Sequence, residues 1–187
     1  MNAYFLTLKH LFWLFVFSLV ISGCTPPPVN VKHEMTPGLA VIVRAYENAV
    51  HQTRQDKDKL WHHGRLGNVV VNIKGDRHLG LCYHWQWQVY RAVQSVIKRT
   101  RWRALGIAIN EGGFYEHHAV LVYRPDRTRF EDILEKPYKT DIYILDPWGS
   151  GKPLIYNLGN WLKLPVTLES PARLTQIKIS TPPWKIL

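Results

Sequence analysis

The sequence predicts an α+β fold in which helices come first and pack on an antiparallel sheet. Two segments, one opening at Thr36 and one at Cys82, repeat apolar residues at helical spacing. Behind the second lie short runs rich in β-branched residues, at 104–109, 119–123 and 142–145, divided by turns. Helices that precede strands, rather than alternating with them, segregate to the sheet instead of crossing over between parallel strands. The chain has 187 residues and no internal repeat, which suits one domain behind a leader.

Residues 1–23 form that leader. Lys9 and His10 precede an apolar run at 11–21 in which Ser18 is the polar exception. The run is shorter than the roughly 20 apolar residues needed to cross a bilayer, and it reads as a signal-peptide core. It ends in Ile21-Ser22-Gly23-Cys24, small residues just ahead of a cysteine. This is similar to a bacterial lipoprotein signal, which implies cleavage before Cys24 and a lipid on its sulfur. Resemblance to enterobacterial lipoproteins extends to Thr25, since a residue other than Asp there implies the outer membrane, facing the periplasm. Thr25-Pro26-Pro27-Pro28 stiffens the tether, 24–35, ahead of a single domain at 36–187.

Charge and cysteine count narrow the partners. Lys and Arg number 24 against 14 Asp and Glu, a net charge of +10. Solubility, or attraction to anionic lipid headgroups beside the anchor, accounts for this more simply than an acidic substrate such as a cell-wall glycopeptide. A lipid-anchored chain without a recognition motif is not expected to bind nucleic acid. The chain has two cysteines. With Cys24 lipidated, Cys82 is the remaining thiol, and no internal disulfide can form.

Each element has its own signal. Thr36 caps a helix with Pro37 in its first turn, and Leu39, Ile42, Val43, Tyr46, Ala49 and Val50 carry it to about Gln55. Residues 55–59 make a charged turn. Val69, Val70, Val71 and Ile73 favour a strand or extended segment over 66–75, closed by Gly75-Asp76. From Cys82 to about Arg99, Cys82, Trp85, Val89, Val93 and Val96 share one helical face. Strands follow at 104–109, 119–123 and 142–145, with a turn at Asn110-Glu111-Gly112-Gly113 and a charged surface excursion over 125–141. A further strand is expected at 154–158, after the Gly149-Ser150-Gly151 turn.

Cys82 therefore opens a helix, on its inward stripe. Unpaired amides and the positive end of the helix dipole stabilise a thiolate there and offer donors to an oxyanion. A histidine on a strand and an aspartate at the end of another follow, at His117-His118-Ala119-Val120 and Leu145-Asp146-Pro147-Trp148. Nucleophile, base and orienting carboxylate are the parts of thiol-based acyl transfer.

These motifs resemble those of the transglutaminase-like and papain-like cysteine hydrolases, over roughly residues 60–158. The resemblance implies a nucleophile helix packed on an antiparallel sheet, with Cys82 as nucleophile, His118 as base and Asp146 as its orienting partner. Neighbouring strand residues face opposite ways, so His117 and His118 compete for the role. His118 is preferred because it matches the His-Ala-Val pattern. The chain departs from the papain pattern upstream of the nucleophile, where Gly75-Asp76-Arg77-His78 stands in place of a glutamine. The side-chain oxyanion donor is left open among His78, Trp61 and Asn72, and Trp85 and Trp148 are candidate substrate contacts. The stretch from His118 to Asp146 is also longer than in compact members.

The function expected is that of an envelope lipoprotein, bound to the membrane through Cys24, that cuts or transfers amide bonds of proteins or cell-wall peptides. The alternative is a non-catalytic binding or assembly lipoprotein that retains the fold. His62, His63, His78 and His84 invite a zinc reading, but no His-x-x-x-His or paired-Cys spacing accompanies them. No metal and no cofactor are implied.

Overall fold

The computed structural model describes residues 27–29, 35–75, 77–113, 115–164, 172–177 and 180. The leader and Cys24 lie outside the described residues, so the expectations for them stand as stated. Among the described residues, no helix is long and apolar enough to cross a membrane.

Helix α1 spans Pro37–Arg54. Thr36 Oγ1 accepts from the Leu39 N–H at 3.3 Å, and Pro37 occupies the first turn, where its missing N–H costs nothing. The stripe from Leu39 to Val50 is buried, as its spacing requires. Burying each of its Leu, Ile and Val side chains contributes roughly 1.5–3 kcal/mol as an upper bound. Strand β1, Leu60–Trp61, pairs in parallel with β2, His78–Leu79. Helix α2, Gly64–Lys74, lies between them, and helix α3, Cys82–Ile97, follows. α3 packs on α1 through Cys82, Trp85, Val89 and Val93.

The remaining strands form one antiparallel sheet: β3 (Arg103–Ile109), β4 (His117–Tyr123), β5 (Ile142–Leu145), β6 (Ile155–Asn157) and β7 (Arg173–Thr175). Their order across the sheet is β6-β5-β4-β3-β7. Short helices α4 (Asp132–Glu135) and α5 (Leu158–Trp161) complete the described elements. The coarse expectation of an α+β domain therefore matches the structure. Both faces of the sheet are covered. Ala104, Val120, Val122, Tyr143 and Leu145 meet α1 and α3. Ile107, Ala119, Leu121 and Ile144 meet Ile133, Leu158 and Trp161 on the other side. A sheet buried on both faces needs apolar runs rather than alternation, which is how these strands read. Gln86 on α3 donates through Nε2 to the Ile107 and Ala119 carbonyls, at 3.3 and 2.7 Å, and fixes the helix against β3 and β4.

The segment at 66–75 corrects the sequence reading. It is α2, not a strand. Its valines have little intrinsic objection to a helix, and strand preference is mostly a matter of packing context. Among the described residues no strand pairs with this segment. Instead the helix start is pinned, with Gly64 N–H donating to the Trp148 carbonyl at 2.7 Å. The short parallel pair, α4, α5 and β7 have no counterpart in the sequence reading.

Candidate active site

The chain approaches Cys82 through a tight passage. Gly80 has φ of +139°, and a Cβ there would run into the His62 carbonyl, so glycine alone fits. Cys82 is then the first residue of α3. His84, two residues on, turns its ring back. Its Nδ1 accepts from the N–H groups of Gly80 and Leu81, both at 3.2 Å. This is half of a capping box with imidazole in the glutamate's place. Burial pushes the His84 ring down to about 4, so it remains a neutral acceptor. The N–H groups of Cys82 and Tyr83, by contrast, make no hydrogen bond among the described residues. They are the orphan donors of a helix start, and they flank the sulfur.

His117 begins β4, and Asp146 follows the last residue of β5. His117 Nε2 meets Asp146 Oδ2 at 2.7 Å, with both side chains buried. The same carboxylate accepts from Trp161 Nε1 at 2.8 Å and, through Oδ1, from the Trp148 N–H at 3.1 Å. The His117 ring lies against the rings of Trp148 and Trp161, with centroids 4.7 and 5.5 Å apart. Its Nδ1 has no geometrically formed hydrogen bond among the described residues. Nε2 is taken by Asp146, so Nδ1 is the ring nitrogen without a partner, and Cys82 is near enough to add to the rise in the ring's pKa. The sulfur itself is 3.7 Å from the Glu116 carbonyl. Among the described residues, that carbonyl is the hydrogen-bond partner of the sulfur, and His117 Nδ1 has none.

Burial alone would push His117 down. The Asp146 charge and hydrogen bond, with Cys82 adding to them, prevail and carry it up to about 10. Burial would likewise raise Asp146, but the His117 charge and the bonds from His117, Trp161 and Trp148 hold it low. Both partners point the same way, to an imidazolium–carboxylate pair at neutral pH.

The structure places two of the expected site residues, His118 and Trp85, differently from the sequence reading. His118 does not face Asp146; it bonds Glu116 Oε1 at 2.6 Å and stands edge-on to Tyr83. Register gives the reason. Val120 pairs with Leu145, so Asp146, the residue just past β5, falls on the face of Ala119 and His117. His118 belongs to the opposite face. Burial would raise the Glu116 carboxyl, but bonds from His118 and the Gly112 N–H hold it low, so that pair is self-contained. Trp85 is not a substrate contact. It is 1 % exposed, and its Nε1 donates to the His62 carbonyl at 2.8 Å inside the core. His78 is engaged with His62, Nδ1 to Nε2 at 2.8 Å, under stacked rings.

Trp148 does sit at the site, as the lid over His117, with Nε1 bonded to Asn68 Oδ1 at 3.1 Å. An open cleft of about 280 Å³ begins there, lined by Arg65, Asn68, Val69, Asn72, Tyr115, Glu116 and Trp148. Trp61 packs against the rings of His84 and Trp85, and its buried Nε1 has no partner among the described residues. Sequence reasoning missed Trp161 as the second donor to Asp146 and His84 as the cap of the nucleophile helix. For His84 a signal existed, a hydrogen-bonding side chain three residues after the N-cap. For Trp161 there was none.

Among the described residues, no group of three His, Cys, Asp or Glu side chains stands together to hold a metal. Compared with protein-family models, curated proteins and solved structures, the chain gives no match.

Proposed function

We propose that this is an envelope lipoprotein, anchored through Cys24, whose domain is a Cys82–His117–Asp146 thiol hydrolase or acyltransferase. Its substrates are amide bonds of proteins or cell-wall peptides. Assignment to the transglutaminase-like or papain-like class is part of the proposal. It rests on the order of the three motifs, with His117 taking the place of His118. The observation that carries it is the buried His117–Asp146 pair, whose ring Cys82, at the start of a helix, helps to hold protonated.

Each group then has a task. The thiolate sulfur of Cys82 attacks the carbonyl carbon, and the C=O electron pair moves onto oxygen. The Cys82 and Tyr83 amides receive that oxyanion, and Trp61 Nε1 is the candidate side-chain donor. The His117 imidazolium gives its proton to the leaving amine as the C–N bond breaks and a thioester forms. The neutral ring next takes a proton from water or from an incoming amine. That nucleophile displaces the sulfur, and the thiolate–imidazolium pair returns. Asp146 holds the ring's tautomer and stabilises its charge throughout.

The test is labelling in envelope extracts with a peptidyl acyloxymethyl ketone, together with mass spectrometry of the adduct. Wild type should be labelled on Cys82 at neutral pH while folded. Labelling only after unfolding would refute the enzyme and favour the binding-lipoprotein alternative.

A further inference from the structure

Helix α2 turns apolar side chains to solvent beside the cleft. Leu66 is 83 %, Val69 53 % and Ile73 74 % exposed. Their spacing of three and four residues aligns them on one face. Tyr115, at the cleft's rim, is also exposed. α2 carries Arg65 and Lys74, both exposed, and no acidic residue. An apolar stripe with cations at its ends is the pattern of a helix lying in a membrane interface.

The tether says which surface this face meets. The Val29 N–H donates to the Ile155 carbonyl at 2.8 Å. Ile155 pairs with Leu145, one residue before Asp146. The same end of the sheet carries the Trp148 carbonyl that anchors Gly64 at the start of α2. A Cβ on Gly151 would touch the His63 ring, so the 146–151 turn and the entry to α2 are in contact. The chain thus joins the domain at the end where α2 lies. From Cys24 to Val29 it reaches at most about 18 Å, at about 3.6 Å per residue. A lipid on Cys24 therefore holds this end of the domain close to the bilayer.

We propose that α2 is a membrane-docking helix. Leu66, Val69 and Ile73 enter the headgroup region of an anionic bilayer, while Arg65 and Lys74 meet its phosphates. The cleft beside Trp148 then opens at the membrane surface, which favours substrates held at that surface. This rests on the anchoring half of the proposed function, not on its thiol chemistry.

Hydrogen exchange on the full lipidated chain tests it, in vesicles of phosphatidylethanolamine with phosphatidylglycerol. Acylation of Cys24 is measured on the same material. With intrinsic rates corrected, amides of 64–74 should exchange at least about tenfold more slowly in wild type than in Leu66→Gln/Ile73→Gln. Exchange in α1 should be equal in the two, since both positions are exposed. Wild-type protection should weaken in phosphatidylcholine vesicles, at high salt, or in Lys74→Glu. An acylated chain whose α2 exchanges equally in wild type and variant, or in every lipid and salt, overturns the docking face alone. Protection that rises with protein-to-lipid ratio assigns the face to a second copy and also overturns it. A chain without lipid on Cys24 overturns the anchoring reading and the docking face together.

Discussion

His117 lies 1 % exposed among Asp146, Trp148 and Trp161, whereas His118, its covalent neighbour, lies half-buried beside Tyr83 and bonds Glu116. Both are strand residues with a carboxylate partner at a similar distance. What separates them is the pleat. One position along β4 sends a side chain to the face that Asp146 shares; the next sends it to the other. The His117 carboxylate is itself held by two further N–H donors and sealed by indole rings. The Glu116 carboxylate is partly exposed and comes from an adjacent loop residue. The two histidines therefore differ less in having an acidic partner than in how rigidly that partner is held, and on which face.

The sharpest way to break this contrast is by deletion. Cys82→Ala should abolish covalent labelling and turnover. His117→Ala should lower the labelling rate about 10³- to 10⁴-fold. His118→Ala should change it no more than about threefold. Equal losses for the two histidines, read by labelling kinetics, would erase the distinction. Asp146→Asn comes next. It keeps the shape but removes the charge, and a loss of about 10²-fold with a measurable remnant is expected. The matching Glu116→Gln should be near neutral.

Trp161→Phe removes one donor to Asp146 and should cost about 1–3 kcal/mol of stability by chemical denaturation, with a smaller loss of rate. Trp61→Phe should lower kcat without changing KM, about tenfold, if its indole serves the oxyanion. A change in KM alone would assign Trp61 to packing.

Stability against pH separates the two histidines again. The folded state raises His117 from 6.5 to about 10. Its contribution is fully present below about 6.5 and is lost as pH rises toward 10. That alkaline limb should vanish in His117→Ala and persist in His118→Ala. His84 works in the opposite sense, since burial lowers it to about 4. It contributes above 6.5 and is lost as pH falls toward 4, an acid limb that His84→Gln should flatten. Thermal melts across pH 4 to 10 read both limbs.

Some of this was legible beforehand. Helical spacing located α1 and α3, because their stripes face a core built by near neighbours in the sequence. Cys82 and Asp146 were recognisable from their places at a helix start and a strand end. Which histidine meets Asp146 was not, because that depends on the β4–β5 register. That register is fixed by pairs such as Val120 with Leu145, and no local pattern announces it. α2 was misread for a related reason. Val69, Val70 and Val71 speak for a strand, whereas in the fold they belong to a helix whose start, Gly64, is held on the Trp148 carbonyl. Trp161 reaches Asp146 across the fold, from a helix too short to leave a periodic trace.

The central claim is that His117, held by Asp146, is the proton partner of Cys82. The most direct measurement is the rate of Cys82 alkylation by iodoacetamide from pH 4 to 10 in folded wild type, His117→Ala and His118→Ala. Wild type and His118→Ala should react quickly and alike at pH 6, while His117→Ala should be slower by at least about 10²-fold there and recover only as alkali ionises the lone thiol. A slow His118→Ala beside an unchanged His117→Ala, or a sulfur that reacts only on unfolding, would contradict the account.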